Sequence, residues 1–238
     1  MKKLITVLLF VPFVGYSQTC IIAIKTKNKI IVGAESRTTF PGINPITHER
    51  LVKFEDTVCK IWEGKNINFT ISGYPGSKLI SFARTLLKND SITFSQFEER
   101  YKKEALKIVL KAIENDNKPP FPTPTYQVGK VLTDIILFGR ENDSLKMVRI
   151  SLVFLDDAKF HWWQVKERDT IGSGETAEIE SNNILYDKNT WKNGYIKGIE
   201  YLINYVHDLY PKNVGGPINI IEVTKRKTRW IGKKPPCY

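Results

Sequence analysis

Thr19 and Cys20 put a hydroxyl and a thiol side by side, directly after a stretch that reads as a removable leader. At a free N-terminus, either residue would carry its nucleophile and its base, the α-amino group, on one amino acid. The chemistry that suits such a residue is attack on an amide carbonyl. The leader has Lys2 and Lys3, then an apolar run of eleven residues from Leu4 to Val14, then Gly15-Tyr16-Ser17. The run is too short to span a bilayer, and small residues occupy the two positions that a signal peptidase reads. Residues 1–17 are therefore expected to be a signal peptide, cut after Ser17 to leave Gln18 first, with the product exported to the periplasm or the medium. A retained anchor is the weaker alternative. A lipoprotein is weaker still, because Ser17-Gln18-Thr19 is a poor lipidation motif before Cys20.

Removing residues 1–17 from the 238 leaves 221, which suits one large domain over 18–238. The net charge of +11 becomes +9 without the two signal lysines. That excess favours acidic partners. The lysines are dispersed, however, and no nucleic-acid motif accompanies them, so a solvated basic surface is expected and nucleic acid is not an expected partner. Lys225-Arg226-Lys227, Arg229 and Lys233-Lys234 form one basic run, read as an exposed tail over 225–238. No stretch after the leader could span a membrane. The chain has three cysteines, Cys20, Cys59 and Cys237, and an odd count in an exported chain leaves one thiol over. The expected pairing is Cys59–Cys237 with Cys20 free. His48, His161 and His207 are scattered, and none stands at ligand spacing from a cysteine, so neither a metal nor a cofactor is expected.

The elements that would position Thr19 come next. Residues 20–26 and 29–34 read as two strands joined by a tight turn at Lys27-Asn28. Residues 38–56, broken by Pro41, Gly42 and Pro45, read as irregular. Val58–Trp62 and Ile67–Ser72 suggest a second hairpin, after which Gly73-Tyr74-Pro75-Gly76 opens a helix to about Lys88. Thr93–Asn115 is the clearest helix, with Phe94, Phe97, Tyr101, Ala105, Ile108, Val109, Ala112 and Ile113 recurring at helical spacing and charges opposite. Ser95 and Glu98 suggest its capping box. Pro119–Pro124 reads as a surface loop. Strands return at 131–139, 146–154 and 159–166, Gly172-Ser173-Gly174 opens a helical region, and a helix over Tyr195–Leu209 precedes a strand over Ile218–Val223. Paired helices and strand meanders predict an α+β fold, a four-layer αββα sandwich.

This order, and several segments in it, resemble the proteasome β-subunit family of N-terminal nucleophile (Ntn) hydrolases over nearly all of residues 19–224. The best match is Thr19-Cys20-Ile21-Ile22-Ala23-Ile24-Lys25 followed by Ile30-Ile31-Val32-Gly33-Ala34-Glu35-Ser36-Arg37, similar to the family's opening hairpin and acid-x-Arg segment. The resemblance implies that Thr19 is the nucleophile and that Glu35 stands where the family has aspartate. Thr57-Val58-Cys59-Lys60-Ile61 resembles the strand whose lysine lies beside the nucleophile, which makes Lys60 the expected charge partner, with Lys53 its nearby competitor. Phe69-Thr70-Ile71-Ser72-Gly73 resembles the strand end whose glycine N–H binds the oxyanion, and Gly172-Ser173-Gly174 resembles the turn whose serine sits near the terminal amine. Asp208 through Gly215-Gly216 is similar to the family's Asp-to-Gly-Gly segment, but the loop is longer and Val214 replaces the usual serine.

The resemblance implies an exported threonine-type hydrolase of peptide or small amide bonds, with Thr19, Lys60, Glu35, Ser173, Gly73 and Asp208 as its site, and a ring-shaped homo-oligomer as a possible assembly. The rival enzyme is a Cys20-dependent Ntn amidase with Arg37 in support, since thiolate is the better intrinsic nucleophile. Side chains alternate across a strand, so if Thr19 faces Lys60, Cys20 faces away. The rival from another class is a catalytically silent binding or assembly protein of the same fold. The departures at Gln18, Glu35 and Val214 favour it, because without removal of Gln18 the Thr19 amine is not free.

Overall fold

The computed structural model describes residues 19–43, 50–74, 76–116, 131–154, 160–165, 169–235 and 237. The expected signal peptide, Gln18 and the Pro119–Pro124 loop lie outside the described residues. In chain order the strands are β1 (Cys20–Lys25), β2 (Lys29–Glu35), β3 (Thr38–Ile43), β4 (Arg50–Glu55), β5 (Ile61–Trp62), β6 (Ile67–Gly73), β7 (Val131–Glu141), β8 (Ser144–Phe154), β9 (Phe160–Val165), β10 (Thr170–Gly174), β11 (Ile218–Thr224) and β12 (Thr228–Ile231). The main helices are α1 (Gly76–Leu87) and α2 (Phe94–Asp116), the short α3 (Ala177–Ser181) and α4 (Lys188–Trp191), and α5 (Tyr195–Leu209).

Two five-stranded antiparallel sheets carry the fold, in the orders β10-β1-β2-β11-β12 and β5-β6-β7-β8-β9. Their strands are close to continuously apolar, as befits sheets covered on both faces. Alternation sorts β1 cleanly. Ile21 and Ala23 enter an apolar layer with Val32, Ile136, Phe138 and Met147, where the two sheets meet. Cys20, Ile22 and Ile24 enter a separate layer with Ile199, Leu202 and Val206 of α5. A third layer packs Phe69, Ile71, Ile135 and Ile150 against Leu79 and Ala83 of α1 and Phe97, Tyr101 and Val109 of α2. The molecule is thus a mixed α+β sandwich of two antiparallel sheets with helices on their outer faces.

Several expectations need correction. Residues 38–56 are not irregular throughout: β3 and β4 form a separate two-stranded hairpin, with Pro41 opposite Val52. Proline is tolerated there because, among the described residues, no further strand pairs with this hairpin and would need its missing N–H. The first strand of the second expected hairpin shrinks to Ile61–Trp62. The α2 cap is formed by Thr93 and Gln96, not Ser95 and Glu98. Thr93 Oγ1 accepts the Gln96 N–H at 3.2 Å, and Gln96 Oε1 accepts the Thr93 N–H at 3.1 Å. Glu98 pairs instead with Lys102, one turn on, at 2.6 Å. Gly172-Ser173-Gly174 ends β10 rather than opening a helix, and α3 begins only at Ala177.

The basic run is not a free tail. Residues 228–231 pair as β12 with β11, and Arg229 and Lys29 both bind Glu222, at 2.7 and 3.0 Å. Trp230 and Ile231 supply the apolar contacts that bring the run back onto the sheet. Cys237 is bonded to Cys59, and Cys20 is free, in the expected pairing. Among the described residues, no helix is long and apolar enough to cross a membrane.

Candidate active site

Thr19 precedes β1 and is fully buried. Lys60 Nζ donates to Thr19 Oγ1 at 2.9 Å. Three restraints hold this lysine. Val58 N–H donates to Ser36 O at 3.0 Å, Cys59 is covalently fixed by the disulfide, and Ile61 starts β5 within the inter-sheet layer. Lys60 is only 4% exposed, and burial pushes its pKa below the ordinary lysine value, with nearby Glu35 opposing. A buried ammonium aimed at a hydroxyl oxygen stabilises the alkoxide that forms there.

Glu35 closes β2 and collects backbone donors. Its Oε1 accepts the Cys20 N–H at 3.3 Å, and its Oε2 accepts the Arg37 N–H at 2.6 Å and the Gly215 N–H at 3.3 Å. The longer side chain therefore ties the start of β1, the end of β2 and the loop before β11 to one carboxylate. Burial raises its pKa to about 7, against the opposite pull of Lys60 and of the three N–H groups.

Ser173 stands opposite Ile21 in the β1–β10 pairing. The neighbouring Gly174 has φ +83°, and a Cβ there would collide with the Thr19 carbonyl oxygen, so glycine is what lets β10 approach the nucleophile. Glu175 N–H closes the contact by donating to that oxygen at 2.9 Å. Ser173 Oγ donates to Asp134 Oδ2 at 2.9 Å and lies 2.7 Å from Ser72 Oγ. Asp134 also accepts from Arg149 Nη2 at 2.7 Å and from Ser151 Oγ.

Ser72, Asp134, Arg149 and Ser151 were not singled out from the sequence. A signal was there. Asp134 interrupts the apolar run Val131–Phe138, and Arg149 interrupts Met147–Ile150, and a charge inside a buried strand requires a partner.

The other expected residues fall in different places. Gly73 ends β6 with φ +91°, and a Cβ there would collide with the Leu132 carbonyl oxygen, so its glycine is already required by the backbone of β7. Asp208 is exposed near the end of α5 and is not among the residues gathered here. The loop after α5 reaches the site through Gly215, whose carbonyl accepts the Arg37 N–H at 3.0 Å. Val214, where serine was expected, is buried against α5 and its carbonyl meets His207 Nδ1 at 2.6 Å. Arg37 grips Asp56 through Nε and Nη2 at 2.6 and 2.8 Å, and reaches the Pro211 carbonyl through Nη1. Cys20 points away from Lys60, fully buried against α5, and burial followed by the charges of Glu35 and Glu175 raises its thiol well above the ordinary value. The Lys53 side chain lies outside the described residues.

Among the described residues, no group of three or more His, Cys, Asp or Glu could hold a metal ion. Compared with known proteins, the chain matches no family model and no curated protein.

Proposed function

We propose that this chain is an exported threonine-type hydrolase of peptide or small amide bonds, with an αββα Ntn-hydrolase fold of the proteasome β-subunit type. The observation that carries the reading is the buried 2.9 Å contact from Lys60 Nζ to Thr19 Oγ1 at the first residue of the sandwich. The layers of helices, sheet, sheet and helices support the fold. A disulfide fits an oxidising compartment and supports export.

Removal of residues 1–18 frees the Thr19 amine. Thr19 Oγ then attacks the carbonyl carbon of an amide, and its proton passes to the Thr19 α-amine, directly or through one water. A model α-amine, with a pKa of roughly 7.7–8.0, is well matched to that task near neutral pH. Lys60 stabilises the developing alkoxide. As the tetrahedral intermediate collapses, the C–N bond breaks and the ammonium returns its proton to the leaving amine. The ester left on Thr19 is hydrolysed by water, which releases the acid and restores the hydroxyl. Ser173 is the proposed partner of the amine, and Gly73 N–H is the proposed oxyanion donor. A site without an ATP-driven unfoldase acts on short peptides, unfolded chains or small amides.

A β-lactone or epoxyketone probe tests the assignment. Labelling of the matured protein is expected to vanish in Thr19→Ala and persist in Cys20→Ala; loss in Cys20→Ala alone would sink the threonine mechanism. One observation favours the silent-protein reading: Asp208 is exposed, whereas Thr19 and Lys60 are buried. Intact mass separates the two, because a secreted chain that keeps Gln18 has no free Thr19 amine.

A further inference from the structure

The hydroxyl of Ser173 is the end of a buried, directional chain of hydrogen bonds. Asp134 is 2% exposed, and its carboxylate receives Arg149 Nη2, Ser151 Oγ and Ser173 Oγ. An ionised carboxylate only accepts, and a serine hydroxyl has one proton to give. Since Ser173 donates to Asp134, its 2.7 Å partner Ser72 must donate to Ser173. Ser173 Oγ therefore keeps one lone pair, and it can only accept.

That lone pair belongs to the nucleophile's surroundings. Cys20 lies opposite Gly174 and Ile21 opposite Ser173, so Ser173 is the diagonal neighbour of Thr19, within reach across an antiparallel pair. Ser173 and Thr19 also share the inter-sheet side, since Ile21 points there and side chains alternate.

We infer that Asp134 is a positioning residue for the Thr19 amine: it fixes Ser173 as an acceptor, and Ser173 holds the ammonium that forms when the amine takes the proton. The inference rests on the hydrolase reading and adds to it a carboxylate supplied by β7. The other charges around the amine are Lys60, Glu35 and Glu175. Those around the Asp134–Arg149 pair are Tyr101, Glu180 and Tyr186. An acceptor backed by a carboxylate favours the protonated amine, so its loss lowers the amine's pKa.

The test is an NMR titration of the Thr19 α-amine in the chain with residues 1–18 removed, which keeps every described residue. The amine pKa is expected to fall by about 1 pH unit in both Asp134→Asn and Ser173→Ala. The double variant is expected to fall no further than either single one, because both changes break the same chain. Asp134→Asn leaves Arg149 without its carboxylate and could fail to fold. Ser173→Ala keeps the Asp134–Arg149 pair and decides alone: an unmoved amine pKa in folded Ser173→Ala overturns the inference, as do additive effects. The titration needs no turnover. A folded chain that labels with no probe yet shows the shifted amine overturns the hydrolase reading and leaves the wiring standing.

Discussion

Thr19, Lys60 and Glu35 form a site in which burial sets the protonation behaviour. Lys60 is pushed down and Glu35 is raised to about 7, each mainly by loss of water. Glu35 thus holds its proton more tightly in the folded chain than in the unfolded one, whose carboxyl titrates near 4.5. Between pH 4.5 and 7 the folded state binds more protons, and this group's contribution to stability is lost as pH rises through that window. Glu35→Gln cannot titrate. Its melting temperature, measured against pH from 4 to 8, is expected to lack the decline that Glu35 imposes on the parent; identical curves for both would contradict the raised value. Thr19, Lys60 and Ser173 were legible in the sequence because each lies in a short local motif. The outward turn of Cys20 followed from strand alternation once Thr19 was set facing Lys60. Asp134 was not legible, because its partners Arg149, Ser151 and Ser173 come from two other strands, and only the finished fold brings them together.

At the scale of elements, apolar periodicity foretold the long pieces well. Helix α5 spans Tyr195–Leu209 as expected, and β1 and β2 differ from expectation by a residue. The misses share a physical cause: a local pattern that had more than one partner available. Thr93/Gln96 and Ser95/Glu98 both fit a capping box, and the choice went to the pair whose helix also buries Phe94 and Phe97. Thr93→Ala is accordingly expected to cost about 1 kcal/mol in denaturant unfolding, and Ser95→Ala less than about 0.5 kcal/mol. The hairpin over 38–55 was hidden because Pro41 and Gly42 signal a break unless a strand is known to have a free edge. Strand β12 was hidden because six basic residues flank Trp230 and Ile231, and their pairing with β11 depends on a strand nearby in space.

For the molecule as a whole, the layering was legible and its closure was not. Strands in meanders and helices in pairs implied two sheets with outer helices, and three apolar layers fill that scheme. The closure is covalent. Cys59–Cys237 spans 178 residues of chain, a separation for which loop entropy alone gives up to about 5 kcal/mol. Cys237→Ser is expected to lower the melting temperature and to slow probe labelling more than tenfold, with wild type in a reductant behaving alike. An unchanged labelling rate would mean that β5 and the Val58–Ser36 hydrogen bond hold Lys60 without the disulfide.

The bond also imposes an order of events. Cys59 is the residue next to Lys60, and its partner Cys237 lies 178 positions further along the sequence. A chain made from its N-terminus therefore holds Thr19 and Lys60 long before it holds the cysteine that braces Lys60. The brace closes only after Cys237 has been made and oxidised, so a reduced chain carries Lys60 without its covalent anchor. The disulfide thereby makes the setting of Lys60 depend on a late-made residue and on its oxidation.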